Sequence, residues 1–288
     1  MPSPPHHRPK KSLGQNFLVD GNLQRKIVGA LNVGPEDEVL EIGPGRGALT
    51  RHLVGRPKTL TLVELDRELA ESLREELKGE EGVRVIQGDI LETDLSELTP
   101  RVHELKVVGN IPYNITTPIL FHLLGRPRPR EILLMIQKEV ADRILSPPGT
   151  SSFGALTVGV RSVAEVDRVL KVPASAFRPV PAVDSVVIRV RPLRPEPLTE
   201  EEEKALRTLT RSAFQQRRKQ FQSILRSHPL LGLTHQEVSR VEEETGFDLR
   251  QRPETFSPQE FIRLSRALGA LPHSAGGCPP SGGPCAHP

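Results

Sequence analysis

The sequence predicts an α/β protein: a doubly wound, mostly parallel sheet followed by a small all-helical domain. Three observations carry this. Apolar runs of strand length alternate with amphipathic stretches of helix length from Gly21 to Val190, the pattern of parallel strands joined by crossover helices. A glycine-rich turn, Gly43-Pro-Gly-Arg-Gly47, follows directly on the first long apolar strand, where a doubly wound sheet holds its ligands. Pro192, Pro195 and Pro197 then interrupt the chain, and no strand pattern recurs beyond them.

The strands are expected at 38–42, 59–64, 83–87, 105–109 and 131–137, with a hairpin-like pair at 166–172 and 185–190. Several are continuous apolar runs rather than alternating ones, as befits strands covered on both faces. Helical spacing of apolar residues marks 21–31, 47–54, 67–77, 117–124, 138–145 and 152–161. After the prolines, Thr199 is suited to cap a helix and Glu202 to complete a capping box. Leu206, Leu209, Ala213, Phe214, Phe221, Ile224 and Leu225 then recur at roughly helical spacing, and shorter helices are expected at 235–244 and 258–268. The implied division is an N-terminal tail (1–11), the α/β domain (12–191), a helical domain (198–269) and a C-terminal tail (270–288).

Both tails are rich in Pro, Gly and Ser and are expected to be disordered. Both cysteines, Cys278 and Cys285, fall in the second tail, so the folded part depends on no disulfide, which suits a reducing compartment. With His273 and His287 they could ligate zinc in principle, but the spacing matches no standard finger and a solvated tail is the plainer reading; no metal is expected. No run of about 18 apolar residues is present and residues 1–11 lack the apolar core of a signal peptide, so a cytoplasmic protein without a membrane partner is expected. Lys and Arg number 39 against 36 Asp and Glu, a net charge of +3, which permits polyanion binding without demanding it. Aromatic residues are scarce: nine Phe, one Tyr and no Trp.

Glycines in the 43–47 turn let backbone approach a ligand closely. Glu64 ends the second strand 21 residues after Gly43, well placed to accept hydrogen bonds from both hydroxyls of a ribose. Asp89 ends the third strand in Gln-Gly-Asp-Ile. A dinucleotide fingerprint is spaced G-x-G-x-x-G. Here the glycines stand as G-x-G-x-G after acidic Glu41, which resembles the S-adenosylmethionine pocket of Rossmann-like class I methyltransferases; an NAD site is the rival.

After the fourth strand comes Asn110-Ile-Pro-Tyr113, similar to the motif of methyltransferases acting on exocyclic base amines. Such an amine is a poor nucleophile because its lone pair is delocalised into the ring. If the Asn110 side-chain oxygen and the Ile111 or Pro112 carbonyl accept its two N–H bonds, the lone pair turns toward the methyl donor, so orientation replaces a strong base. Tyr113, the only tyrosine, would stack on the base and Pro112 would stiffen the loop. No cysteine stands outside the tail, which excludes ring-carbon methylation through a covalent cysteine adduct.

Over about residues 10–268 the sequence resembles the KsgA-type (RsmA) ribosomal RNA adenine dimethyltransferases. The resemblance is carried by Lys11-Ser-Leu-Gly-Gln-Asn-Phe-Leu18, Glu41-Ile-Gly-Pro-Gly-Arg-Gly47, Val63-Glu-Leu-Asp66, Gly88-Asp89, Gly109-Asn-Ile-Pro-Tyr-Asn-Ile-Thr-Thr-Pro118 and Phe177-Arg-Pro-Val-Pro-Ala-Val-Asp-Ser185. It implies an S-adenosylmethionine-dependent enzyme that makes two adjacent N6,N6-dimethyladenosines in a hairpin loop near the 3′ end of 16S rRNA, on an immature 30S particle, and that is a monomer off the ribosome. Carried over by position, Asn16 and Leu18 close the donor site, Gly43 and Gly45 face the donor, Glu64 holds its ribose, Asp89 binds its adenine edge and Asn110 serves both sites. Phe177 stacks opposite Tyr113 to clamp the target base. Within the resemblance the rival is the Erm-type 23S rRNA methyltransferases of macrolide resistance; Pro118, the Val-Asp-Ser ending and Arg217-Arg-Lys219 lean toward KsgA. A mainly non-enzymatic ribosome assembly factor is a further alternative.

Residues 204–226 hold seven basic residues and no acid. On a helix beside an RNA-modifying domain, Arg217, Arg218 and Lys219 are expected to contact phosphate.

Overall fold

The computed structural model describes residues 15–228 and 231–271. The chain enters through a two-residue strand, β1 (Phe17–Leu18), and helix α1 (Gly21–Leu31). Asp20 sets the start of α1: its carboxylate accepts the backbone N–H groups of Asn22 and Leu23 at 2.9 and 3.0 Å, satisfying donors that a helix N-terminus leaves open. Then follow β2 (Glu38–Ile42), α2 (Thr50–Leu53), β3 (Thr59–Glu64), α3 (Arg67–Glu76), β4 (Val83–Gln87), α4 (Leu95–Leu98), β5 (Lys106–Asn110), α5 (Thr116–Leu123) and β6 (Glu131–Gln137). These five long strands are parallel in the order β4-β3-β2-β5-β6. The chain therefore winds outward from β2, returns, and continues from β5 in the other direction. The gap beyond the carboxyl ends of β2 and β5 is the topological switch point where such sheets bind ligands.

After α6 (Lys138–Leu145) and α7 (Ala155–Arg161) come β7 (Ala164–Val172), the two-residue β8 (Phe177–Arg178) and β9 (Ser185–Pro192). β9 lies antiparallel between β6 and β7 and completes a seven-stranded sheet. β8 pairs instead with β1, Phe17 opposite Arg178 and Leu18 opposite Phe177. Four helices finish the described chain: α8 (Glu200–Gln215), α9 (Phe221–Ser227), α10 (His235–Thr245) and α11 (Pro258–Ala270). α8 starts at the expected capping box, with Glu202 N–H donating to Thr199 Oγ1 (3.2 Å) and Thr199 N–H to Glu202 Oε2 (2.8 Å).

Two expected helices are shorter than their patterns. The stretch 47–54 is helical only from Thr50, because Gly47 has φ +71°, a left-handed conformation that no α-helix accommodates. The stretch 152–161 begins at Ala155, with Gly154 N–H held by Thr157 Oγ1 at 3.2 Å. The strand expected at 105–109 is displaced by one residue, which makes Asn110 its last member.

Alternate residues of the central strands feed opposite faces of the sheet. Leu40, Val107, Ile132 and Leu134 join one apolar cluster, while Val39, Val108, Leu133 and Met135 join another. The first cluster runs on into Leu206, Leu209, Phe221 and Phe261 of the C-terminal helices, so the helical region shares its core with the sheet. Six of the nine phenylalanines pack there in pairs, such as Phe214 with Phe261 at 5.7 Å and Phe221 with Phe256 at 5.4 Å between ring centres. Among the described residues no helix is long and apolar enough to cross a membrane. The tails and their cysteines lie outside the described residues.

Candidate active site

At the switch point a pocket is lined by the 43–46 turn, Asn16 and Leu18 from the N-terminal segment, Glu64, Asp89, Asn110, Pro112 and Tyr113. Gly43 and Gly45 have φ of +61° and +59°, which side-chain-bearing residues seldom adopt. At Gly45 space is limiting too: a Cβ there would sit 3.1 Å from the Phe17 ring. The turn thus presents bare backbone to the pocket, roofed by Phe17, over which the Arg46 guanidinium lies at 4.5 Å.

Two carboxyl groups are buried in this pocket. Glu64 closes β3 and accepts Gly45 N–H on Oε2 and Asp66 N–H on Oε1, both at 2.9 Å; each oxygen retains a further lone pair. Burial pushes its pKa up, with those backbone N–H bonds working against the shift. Glu41, on β2, is 2% exposed. Burial, reinforced by the charge of Glu64, raises its pKa from 4.5 to about 8, although the Thr50 hydroxyl donates to Oε2 at 2.8 Å. Asp89 does not end the strand as expected: β4 stops at Gln87, and Asp89 two residues on caps a short 3-10 turn, Ile90–Glu92, by accepting Leu91 N–H on Oδ1 at 2.9 Å, leaving its second oxygen for a ligand.

Between the unfolded value of 4.5 and about 8 the native state binds the extra proton on Glu41, so this group makes stability fall as pH rises through that window. Glu41→Gln keeps an acceptor for Thr50 and removes the titration. Its unfolding free energy, measured with urea at pH 5 and pH 8, should show a pH-dependent loss smaller than wild type by roughly 2–4 kcal/mol.

Asn110 is fixed by its amide. Nδ2 donates to the Asn16 carbonyl at 3.0 Å, which orients the group and leaves Oδ1 as an acceptor. The two candidate backbone acceptors differ: the Pro112 carbonyl already receives Ile115 N–H (3.3 Å) and the Thr116 hydroxyl (3.4 Å), whereas that of Ile111 has no such partner among the described residues. Tyr113 is half-buried, and its hydroxyl bonds Ser185 Oγ at 2.7 Å; Ser185 is 1% exposed. The ring is held at one end while part of it stays accessible.

Two expectations are corrected. Phe177 does not face Tyr113 across an open slot. It is 0% exposed, lines no part of the pocket and packs with Leu18, Val172, Ala176 and Val187, because β8 pairs it with Leu18 of β1. Nor do Arg217, Arg218 and Lys219 stand on a helix: α8 ends at Gln215 and they occupy the turn before α9. Arg217 is committed inside the protein, bonding Glu254 Oε2 (3.0 Å) and the carbonyls of Ser151 (2.7 Å) and Thr150 (2.9 Å). Arg218 and Lys219 are exposed. Replacing both by Ala should therefore reduce the salt slope of RNA binding by about 1.4, or 0.7 per phosphate lost, with unchanged thermal stability. Arg217→Ala should instead cost about 2 kcal/mol of stability and leave the slope alone, as binding titrations at several salt concentrations would show.

Local pattern gives no role to Phe17 or Ser185 and marks Glu41 only as the acid before the glycine turn. Phe17 and Ser185 act through partners 28 and 72 residues away, Gly45 and Tyr113, which no local pattern encodes. Glu41 did carry a signal, an acid in the middle of a strand buried on both faces, where an unpaired carboxyl is costly. Among the described residues no group of His, Cys, Asp and Glu is arranged to hold a metal ion.

Comparison with known proteins agrees with this geometry. Ribosomal RNA small subunit methyltransferase A of Moorella thermoacetica is 44% identical over 270 residues, covering 90% of this chain and 92% of the relative; the protein of that name from Acinetobacter baylyi is 40% identical over 260 residues, with the same coverage of each chain. Among solved structures, a dimethyladenosine transferase from Plasmodium falciparum superposes with a TM-score of 0.72 at 26% identity over 86% of this chain and 95% of that one. The 23S rRNA methyltransferase ErmE gives 0.67 at 29% identity over 88% and 100%. The profile of the ribosomal RNA adenine dimethylase family matches residues 6–263, and the chain belongs to that family.

Proposed function

We propose that the protein transfers methyl groups from S-adenosylmethionine to N6 of two adjacent adenosines near the 3′ end of 16S rRNA, in the cytoplasm, during small-subunit assembly. The observation that carries this reading is the Asn110 amide, anchored by its nitrogen and left with a free acceptor, beside the half-buried Tyr113 and a pocket with two buried acids. Two acids buried in the pocket favour this donor over NAD, since a ligand bearing cationic groups draws off their protons and pairs with the carboxylates, whereas a pyrophosphate is repelled by any charge they carry. Gly43 and Gly45 would admit its amino-acid part, Glu64 would accept its ribose hydroxyls, Asp89 would take its adenine edge, and Asn16 and Leu18 would close over it.

When bound, the donor supplies an electrophilic methyl carbon on a sulfonium sulfur. Asn110 Oδ1 and the Ile111 carbonyl accept the two N–H bonds of the target amine, so that its lone pair is drawn out of the ring's π system toward the methyl carbon. Tyr113 holds the base face, in a nucleotide that has left its stack, which costs least in a loop. As the N–C bond would form, the methyl carbon–sulfur bond would break and the donor leave as the neutral thioether S-adenosylhomocysteine; the amine nitrogen, positive between the two acceptor oxygens, then loses one proton to water. A second cycle replaces the remaining hydrogen.

Mass spectrometry of small-subunit particles lacking the modification, incubated with purified protein and S-adenosylmethionine, tests this. Dimethyladenosine in 16S rRNA is expected. Its appearance only in 23S rRNA would transfer the assignment to the Erm-type reaction, and its absence from both would refute the enzyme reading. Because the ribose contact needs an ionised Glu64 whose pKa is raised, donor affinity measured by calorimetry should weaken as pH falls through that value and be restored above it.

A further inference from the structure

A second cavity lies on the other side of α5 from the donor pocket, where α5 and α7 meet α8. Its walls are apolar, formed by Phe121, Leu156, Leu206 and Phe214, and Phe121 is 38% exposed there. At its floor are two polar groups without a hydrogen-bond partner: Thr210 Oγ1 and Arg128 Nη1. Thr210 is 4% and Arg128 2% exposed. Arg128 is otherwise bound, through Nε to the Leu124 carbonyl at 2.8 Å and through Nη2 to Glu203 at 2.6 Å, while Nη1 has only Glu196 at 3.5 Å. Buried polar groups are almost always satisfied, so this pair points to a ligand atom. Three exposed arginines, Arg143, Arg207 and Arg211, line the same groove. Glu203, the acid there, is neutralised by Arg126 and Arg128.

We propose that this groove holds a second, unstacked nucleotide of the RNA strand whose adenosine is methylated, an inference that rests on the function proposed above. The base lies against Phe121, a carbonyl oxygen on its edge accepts from Arg128 Nη1 and the Thr210 hydroxyl once these shielded atoms turn toward the groove, and flanking phosphates meet Arg143, Arg207 and Arg211. Two features favour RNA over a small anionic amphiphile. Three cations exceed what one carboxylate head would need. The groove also lies on the way toward the reacting centre: Arg143 lines both it and a neighbouring cavity that includes Val183 and Asp184, and the next residue, Ser185, holds the Tyr113 hydroxyl. Val183, 44% exposed, gives that neighbouring cavity an apolar contact.

The test uses small-subunit particles whose unmethylated rRNA carries sparse 4-thiouridine or 6-thioguanosine, crosslinked to the full-length protein and mapped by mass spectrometry. Adducts are expected on peptides of α5 or α8 as well as on the peptide holding Tyr113. The Arg207→Ala/Arg211→Ala protein should raise KM for particles about tenfold with kcat at saturation little changed, and lower the salt slope by about 1.4. Thr210→Val should reduce the α5/α8 adducts severalfold without lowering the melting temperature. Adducts confined to the Tyr113 peptide, or an unaltered KM and salt slope, would overturn the proposal while leaving the methylation reading intact. Binding of dodecanoate, lost in the double variant, with no RNA adduct in the groove would also overturn it and assign the groove to a small amphiphile. Failure of wild type to methylate would count against the function itself, whatever the crosslinks show.

Discussion

Asn110→Ala is expected to lower kcat for dimethyladenosine formation by about 10³, the usual effect of deleting a preorganised polar group at a reacting centre. The deletion acts twice. It removes the Oδ1 acceptor that turns the amine lone pair out of the ring system, and it removes the Nδ2 bond at 3.0 Å that ties the Asn16 carbonyl to the site. Stability should change by no more than about 1 kcal/mol, the net value of one hydrogen bond, because the backbone of Asn110 stays in register opposite Met135 in β6. Asn110→Asp separates the two contributions, since it keeps an acceptor and cannot donate to Asn16. Single-turnover methylation should place it between wild type and Ala, and calorimetry with S-adenosylmethionine should show weaker donor binding in both variants. The same substitution decides the architectural alternative. A protein acting only by occupying immature particles would support their maturation with Ala at this position, whereas the enzyme leaves the particles without dimethyladenosine.

Much of this fold is legible in sequence because each central strand is defined by a local run and each helix by a local cap. The strands Glu38–Ile42, Thr59–Glu64, Val83–Gln87 and Glu131–Gln137 coincide with their apolar runs, and Thr199 starts α8 through a contact three residues away. What is not legible is long-range. β1 and β8 are two residues each and exist only because Leu18 and Phe177 meet from opposite ends of the α/β region. Their sequences carry no period a reader could detect. The same limit explains the site. Glu64, Asp89 and Asn110 are recognisable because the ends of parallel strands converge by rule. The basic turn misleads for a related reason: charge in a run says nothing of which residue finds an internal acid, and Arg217 finds Glu254, 37 residues on.

Phe177→Ala is expected to cost about 3–5 kcal/mol of stability, the range for removing a fully buried phenylalanine. Its effect on activity should follow from that loss, and not from a missing base contact. The ring is 0% exposed among Leu18, Val172, Ala176 and Val187, and the strand it belongs to holds the N-terminal segment through the Leu18 pairing and the Val19 N–H bond to the Ala176 carbonyl at 2.8 Å. Emptying this site should loosen Asn16 and Leu18, so donor affinity should fall together with stability. Phe177→Leu refills most of the volume and should cost under about 1.5 kcal/mol with near-normal kcat/KM. Tyr113→Ala should behave in the opposite way. Its half-buried ring supports little of the core, so urea unfolding should change modestly, while loss of a stacking face worth about 1–3 kcal/mol should raise KM for particles about tenfold to a hundredfold. A Phe177→Leu protein that unfolded like wild type yet lost particle binding as Tyr113→Ala does would restore the clamp and require the loop after β8 to open on RNA.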